Sequence, residues 1–198
     1  MVIRLDLQSN FVKLPLIFLL SLPIVVASLQ LYHDSLGINP VEEITHMTGE
    51  WSLRLLLITL AINPLRRLFK FNSLIYLRRI FGVFSFIYAF CHFLIYLVLD
   101  QWFDVALVIE DVWKRPYITV GFAAFVCLIP LAITSTNRMQ ALLQTSWNRL
   151  HKLIYLIAIL AILHFWWLVK ADLREPIIYA SILAVLLSYR VYIRLTRT

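Results

Sequence analysis

The sequence predicts an all-α polytopic membrane protein, a bundle of about six transmembrane helices with both termini in the cytoplasm. Three observations predict this fold class. Hydrophobic residues make up 62% of the 198 residues, with a mean hydropathy of +0.84, whereas about 45–50% is usual in soluble domains. Apolar stretches of membrane-spanning length recur along the chain, and the segments between them alternate in charge. The expected solvent of the fold is therefore the lipid bilayer.

The apolar stretches set the order of the predicted helices. A helix needs about 20 residues to cross a hydrocarbon core of about 30 Å. Pro116 and Pro176 stand where the fourth and sixth helices are expected to begin, Pro64 is expected to mark the end of the second, and Pro130 to kink the fourth. The predicted spans are residues 14–32, 53–65 extended upstream through 44–51, 80–99, 116–135, 150–169 and 176–192.

The first stretch also has a second interpretation. Its apolar core, followed by Val25, Val26 and Ala27, resembles a signal peptide with a small-residue cleavage site. We expect this helix to be retained as a span. Cleavage would leave five spans and the same orientation of the C-terminus, so the charge pattern is compatible with both.

The charges between the spans predict the orientation, because short cytoplasmic segments are enriched in Lys and Arg. Thirteen of the eighteen basic residues fall on one side, which is predicted to be cytoplasmic: Arg4, Lys13, Arg66, Arg67, Lys70, Arg78, Arg79, Arg138, Arg149, Lys152, Arg190, Arg194 and Arg197. Ten of the eleven acidic residues fall on the other side: Asp34, Glu42, Glu43, Glu50, Asp100, Asp104, Glu110, Asp111, Asp172 and Glu175. Five basic residues oppose them there: Arg54, Lys114, Arg115, Lys170 and Arg174.

Several function classes are disfavoured by the composition. The four glycines are too far apart to form a phosphate-binding loop, so no nucleotide-binding module is expected. Cys91 and Cys127 lie in apolar runs without C-x-x-C spacing and are expected to pack as small hydrophobes. The net charge of +7 is explained by membrane orientation, and no nucleic-acid partner is expected. No internal repeat is visible.

The longest external connection, residues 100–115, interleaves apolar and acidic residues. This pattern predicts a short amphipathic helix lying in the membrane interface. The alternative is a docking surface for a partner outside the membrane.

Two histidines within the predicted spans indicate a redox cofactor. Ionisable residues inside spans are costly and usually functional. His92 in the third span and His164 in the fifth lie at similar depth in the outer half of the bilayer, because both spans run outward. Two neutral imidazoles at one depth of a helix bundle are suited to the axial positions of one haem iron. A hydrogen bond to a neighbouring helix is the alternative role of each.

The surroundings of His92 favour the haem interpretation. Gly82, Ser85, Ala89, His92 and Tyr96 recur at spacings of three and four, so they share one helix face. The small residues are expected to leave space for a flat macrocycle.

A second, inner haem is suggested by His151. It precedes His164 by thirteen residues, which places it about 20 Å closer to the cytoplasm. On one regular helix the two rings would lie about 140° apart, so they would not share a face. At the same depth, the third span offers Arg78 and Arg79, which are suited to haem propionates and are poor iron ligands. The alternative is that His151 binds no haem and hydrogen-bonds to lipid headgroups or to backbone at the membrane interface.

The remaining histidines lie near the outer face. His46 precedes Thr48 and Gly49 at the outer end of the second span, where it has a role at the outer face or caps a helix. His33, beside Asp34 in a polar turn, is assigned no role.

The order and spacing of several short motifs resemble the MsrQ (YedZ) family over nearly the whole chain. MsrQ proteins are the haem-binding membrane subunits of the periplasmic methionine sulfoxide reductase system MsrPQ, within the ferric-reductase-like transmembrane superfamily. The motifs are GINP at 37–40 with HMTG at 46–49, Thr59 to PLR at 64–66, RRIFG at 78–82 leading to His92, RPY at 115–117, TST at 134–136, and WNRLH at 147–151 through Tyr155 to His164.

The resemblance implies a function. It implies one domain, residues 1–198, that carries electrons through one or two haems b from a cytoplasmic flavin reductase or membrane quinol. The implied acceptor is a periplasmic molybdopterin methionine sulfoxide reductase, which repairs oxidised proteins, so this chain would be an electron-transfer subunit and not the catalytic one. FMN is a further implied cofactor, and the bacterial inner membrane is the implied location.

The same resemblance assigns site residues. His92, His151 and His164 occupy the family's ligand positions. The larger superfamily usually has a fourth histidine where this chain has Arg78, which leaves the second ligand of an inner haem open.

Two other functions compete with this prediction. A self-contained ferric or quinone reductase would act without a periplasmic protein partner. A small proton-coupled transporter would use the intramembrane histidines as proton relays, but the spans hold almost no acidic residues and show no inverted repeat.

Overall fold

The computed structural model describes residues 9–169 and 171–196, and all regular elements in these residues are helical. The prediction of an all-α polytopic membrane protein is therefore confirmed. Arg4, Lys170 and Arg197, which entered the charge pattern, lie outside the described residues. The helices are α1 (Asn10–Tyr32), α2 (Pro40–Leu68), α3 (Leu77–Ile95), α4 (Val105–Lys114), α5 (Pro116–Ile133), α6 (Asn137–Leu150), α7 (Leu153–Leu168) and α8 (Arg174–Leu195), with a 3-10 turn at Asn72–Tyr76 and a π-helical turn at Tyr96–Asp100.

Local capping chemistry explains where several helices begin. Side-chain oxygens of Ser9, Asn39, Asp104 and Thr136 accept backbone N–H groups in the first turns of α1, α2, α4 and α6, which satisfies donors that have no intrahelical partner. Helix α5 begins at Pro116, as predicted.

Two proline expectations need correction. Pro64 does not end its helix, because α2 continues to Leu68, and α8 begins at Arg174, two residues before Pro176. A proline inside a helix loses one backbone hydrogen bond, but membrane helices tolerate this where neighbouring helices and polar side chains compensate.

Four helical segments of the described residues are long and apolar enough to cross a membrane: Asn10–Tyr32, Asn72–Asp100, Pro116–Ile133 and Arg174–Leu195. Helices α6 and α7 make a fifth span if they count as one, with a bend of 52° between them. Helix α2, which contains the second predicted span, is too polar to qualify by composition. It has 29 residues, about 43 Å of helix, and remains a predicted span.

Helix α2 is polar because it carries six charged residues, four at positions 42–54 and two in its last turn. It has the most buried residues of any helix described, and one side of it packs against α5, α7 and α8 through a cluster that includes Leu57, Leu128 and Ala158. The other side packs against α1 and α3 through Leu20 and Leu55. A helix enclosed by other helices does not need an apolar surface on all sides.

Small residues bring α2 and α3 together. The hydroxyl of Ser52 donates to the carbonyl of Ser85 at 3.0 Å, and the hydroxyl of Ser85 donates to the carbonyl of Ser52 at 2.9 Å. Gly82 faces Thr59, with 3.7 Å between a Cβ built on the glycine and the threonine methyl. Close packing through small residues is typical of membrane helices. Gly82 and Ser85 therefore face a neighbouring helix.

The predicted amphipathic helix in the external connection is confirmed as α4. Its residues Val108 and Val112 are half-buried and lie near Phe122 of α5. Ile109 and Trp113 are 65% and 90% exposed. Its location in the membrane interface stays a prediction.

The orientation across the membrane also stays a prediction, and reporter fusions test it. A reporter that is active only in the cytoplasm should be active when fused after Lys70 and silent when fused after Asp104, because basic segments are retained inside. The reverse pattern would overturn the orientation and, with it, the direction of electron flow.

Candidate functional site

The fold brings the rings of His92 of α3 and His164 of α7 close together inside the bundle. Their ring centroids are 6.2 Å apart and the ring planes are 82° to each other. The similar depth of the two histidines was predicted from their positions in outward-running spans. The structure adds that α3 and α7 are rotated about their axes so that the two rings lie close together.

Each of these rings is anchored by a hydrogen bond to a helix backbone. His92 Nδ1 lies 2.9 Å from the carbonyl oxygen of Thr45 on α2, and His164 Nδ1 lies 2.7 Å from the carbonyl oxygen of Tyr117 on α5. A carbonyl only accepts, so Nδ1 must carry the proton in both rings. The other nitrogen, Nε2, then has the free lone pair that metal coordination requires.

A glycine faces each ring. A Cβ built on Gly49 would lie 3.2 Å from His92 Nδ1, and a Cβ built on Gly121 would lie 2.6 Å from His164 Nδ1. Contacts under 3.0 Å are essentially not made by real Cβ atoms, so the ring of His164 requires a glycine at position 121.

The two halves of this site repeat one arrangement. In each half, a helix carbonyl anchors the imidazole, and a glycine four residues after that carbonyl makes room for it. Tyr117, Gly121 and His164 each lie 72 residues after their counterparts Thr45, Gly49 and His92. The sequence showed no internal repeat, because the two halves share little beyond these positions and Ala-x-x-His at 89–92 and 161–164.

The donor set fits haem. The ring centroids of His92 and His164 are 6.2 Å apart, which would leave room for one metal ion bound by both imidazoles, since a metal–imidazole bond is about 2 Å long. Among the described residues, no group of three or more His, Cys, Asp or Glu side chains could hold a metal ion. Two histidines suffice for haem, since the porphyrin supplies the other four ligands.

His151 lies between α6 and α7, where the chain bends by 52°. The expectation that His151 and His164 point 140° apart assumed one regular helix, so it does not apply. The His151 ring stacks on Trp147 at 3.9 Å between centroids. Its Nε2 lies 3.0 Å from the hydroxyl of Thr134, and Trp147 Nε1 donates to the Thr134 carbonyl at 2.9 Å. The stacked tryptophan and the threonine thus position the imidazole.

The structure distinguishes the two arginines that the sequence left equivalent. Arg78 is half-buried and lies within electrostatic range of His151 and Arg190. Arg79 is exposed and donates to Asn137 Oδ1 at 2.6 Å. The guanidinium of Arg190 stacks on Tyr155 at 4.5 Å. The positive charge beside His151 therefore comes from Arg78, which has Arg190 within its own electrostatic range, and it suits anionic cofactor groups such as propionates or a phosphate.

His46 is exposed on α2 and lines an outward-facing groove of about 470 Å³ with Glu42, Glu50, Trp51 and other residues of the same helix. It does not share the anchored arrangement of His92 and His164. His33 caps the end of α1 and contacts the Tyr32 ring edge-on at 5.3 Å.

The sequence did not indicate the carbonyls of Thr45 and Tyr117 or the role of the two glycines. Gly49 lies in the HMTG motif with His46, whereas Gly121 lies in an apolar run that contains no motif. The one available signal was the shared 72-residue offset of glycine and histidine.

Comparisons with known proteins show which family the sequence resembles. A model of the family "Ferric reductase like transmembrane component" matches residues 48–162, a range that contains His92 and His151 and ends two residues before His164. A Xanthomonas axonopodis pv. citri protein named "Protein-methionine-sulfoxide reductase heme-binding subunit MsrQ" is 56% identical over 82% of this chain and 75% of its own length. A Herminiimonas arsenicoxydans protein of the same name is 51% identical over 93% of this chain and 86% of its own. No solved structure matches.

Proposed function

Because the chain belongs to the MsrQ family within the ferric-reductase-like transmembrane proteins, we propose that it is the haem-carrying electron-transfer subunit of a methionine sulfoxide reductase system. Relatives at 51–56% identity are named as haem-binding subunits of such a system. The chain carries electrons across a bacterial inner membrane and does not itself reduce the sulfoxide.

The observation that carries this proposal is the pair of anchored imidazoles. His92 and His164 hold an outer haem b, which supplies one-electron redox chemistry when bound. The carbonyls of Thr45 and Tyr117 fix the tautomer and the orientation of the rings and raise their basicity, as outer-shell partners of ligating histidines do.

A second site lies on the predicted cytoplasmic side. His151 is the candidate ligand there, and its ring stacks on Trp147. Its Nε2 is engaged by the hydroxyl of Thr134, which already donates to the Pro130 carbonyl, so Nδ1 would be the nitrogen that ligates a metal. Arg78, with Arg79 at its rim, neutralises the anionic groups of the cofactor, which is a second haem b or FMN. Arginine offers donors only, so Arg78 would bind propionate or phosphate and would not ligate the iron of an inner haem.

The proposed electron path runs from the cytoplasmic side to the periplasm. The donor is a cytoplasmic flavin reductase or a membrane quinol, which meets the basic inner face around residues 66–79. The acceptor is a periplasmic molybdopterin methionine sulfoxide reductase of the MsrP kind, which meets the outer face near His46 and α4. A chain with haem alone neither accepts hydride efficiently nor reduces a sulfoxide, so both partners are needed.

Reoxidation of the prereduced protein tests this function. In a reconstituted system, rapid reoxidation is expected only when the periplasmic reductase and a methionine sulfoxide substrate are both present, and slow reoxidation with either alone. Equal rates without the reductase would indicate a self-contained ferric or quinone reductase. A purified protein without haem colour would instead favour the transporter alternative.

A further inference from the structure

The helix that carries His92 changes form one turn beyond the ligand. Helix α3 ends at Ile95, and the π-helical turn Tyr96–Asp100 follows. Trp102 and Phe103 then adopt positive φ angles of 48° and 60°. This backbone conformation is unfavourable for residues with a Cβ and persists only where surrounding contacts hold it. Turns of π-helix are also frequent at functional sites.

Backbone hydrogen bonds hold this segment, and Asp111 of α4 adds side-chain contacts to it. Its Oδ2 accepts a hydrogen bond from the Tyr96 hydroxyl at 3.1 Å and another from Gln101 Nε2 at 2.9 Å. Its Oδ1 pairs with Arg115 Nε at 3.1 Å. One carboxylate thus joins the π-helical turn, the bend that follows it and the end of α4.

Both halves of the outer haem site connect to this carboxylate. Tyr96 follows His92 by four residues, so it lies one turn farther out on about the same helix face. Arg115 also interacts with the side chain of Tyr117, whose carbonyl anchors His164. Asp111 is therefore linked to the helix face of His92 through Tyr96, and to His164 through Arg115 and Tyr117.

The charge of Asp111 is also poorly screened. Its side chain is only 14% exposed, whereas that of its partner Arg115 is 53% exposed. Water screens the arginine more than the carboxylate, because charges near the surface experience a higher effective dielectric constant. The net field of the ion pair toward the bundle interior is consequently negative.

We propose that Asp111 is a positioning residue that fastens the outer loop, residues 96–115, over the haem held by His92 and His164 and that lowers the reduction potential of this haem through its negative charge. The proposal rests on the outer haem of the proposed function. A negative charge in a region of low dielectric constant stabilises ferric over ferrous iron, and burial and local charge are among the means by which proteins tune haem potentials. A lower potential makes the outer haem a stronger electron donor to a partner outside the membrane.

Redox titration of purified, haem-loaded Asp111→Asn protein tests this proposal. The amide keeps the shape and one acceptor but removes the charge, so the midpoint potential of the outer haem should shift to a more positive value. Glu110→Gln is the matched control. It removes the same charge from the neighbouring residue, which is about half exposed and paired with Lys114, and it should leave the potential unchanged. Thermal unfolding verifies that both variants are folded.

Tyr96→Phe gives an independent measurement. It removes one donor to Asp111 and changes no formal charge, so the carboxylate field is less compensated and the potential should shift to a more negative value. Opposite shifts in the two variants support the proposal, since loosening of the loop alone would move both potentials in one direction.

A result in which Asp111→Asn matches Glu110→Gln, or in which both test variants shift the same way, would overturn it. If Asp111→Asn fails to take up haem, the sign of the Tyr96→Phe shift decides. Wild-type protein without haem would contradict the proposed function itself.

Discussion

Replacing His92 or His164 with alanine is expected to remove the low-spin bis-histidine signal of the outer haem from the reduced-minus-oxidised spectrum. The expectation follows from the 6.2 Å separation of the two rings, because a single iron between them loses one axial ligand in either variant. Only one of the two histidine ligands would then remain. Absorbance difference spectroscopy of purified protein, with haem content measured per chain, provides the test.

Two other histidines supply the contrast for this experiment. His33→Ala should leave the spectrum unchanged, since His33 caps α1 and lies against the ring of Tyr32 at the end of that helix. His151→Ala should remove only part of the haem content, because it belongs to the separate inner site. Full wild-type spectra in both the His92 and the His164 variant would show that the ligand assignment is wrong.

Gly121→Ala is expected to impair the outer haem nearly as much as loss of the ligand, although it leaves all histidines in place. The added Cβ would lie 2.6 Å from His164 Nδ1 and 2.9 Å from Cε1, so the imidazole must move away from the Tyr117 carbonyl. Loss of outer-shell support typically lowers metal affinity by about 10–100-fold, and overpacking in a tight interior costs about 1–3 kcal/mol. Haem content and the low-spin signal, measured with thermal unfolding, report the two effects separately.

Glycines elsewhere in the bundle provide matched controls. Gly82→Ala should be tolerated, because its Cβ would meet the Thr59 methyl at an ordinary 3.7 Å, and alanine is favoured over glycine in a helix by about 0.5–1 kcal/mol. Gly49→Ala should have an intermediate effect, since its Cβ would approach His92 to 3.2 Å. Equal haem loading in the Gly121 and Gly82 variants would contradict the close packing of His164.

The sequence was sufficient for the helices and for the depth of their histidines. Apolar stretches predict spans because lipid leaves backbone groups no partner except within the helix. Five of the six predicted spans coincide with apolar helices or with the bent α6–α7 pair, and the remaining one, the second span, lies in α2. His92 and His164 were predicted to lie at one depth by counting residues along outward-running helices, and Pro116 was predicted to begin its helix.

Local signals were less reliable where neighbouring helices determine the outcome. Pro64 marks a helix end by its own chemistry, yet α2 continues past it. Gly82 and Ser85 suggested space for a macrocycle, but in the structure they bring α3 against α2 through Thr59 and Ser52. In both cases the residue type indicated its usual local role, but the sequence did not reveal which helix packs against it.

The sequence by itself determined that this chain forms apolar helices and carries two histidines at matched depth, since hydropathy and helical rise are properties of a single segment. Only the tertiary structure decided that the Thr45 and Tyr117 carbonyls bind the rings, that Gly49 and Gly121 make room for them, and that Arg78 and not Arg79 lies near His151. Each anchoring carbonyl is 47 residues from its histidine. Contacts of this kind depend on the rotation of each helix about its axis and on its packing partner, which the pattern within one apolar helix does not specify.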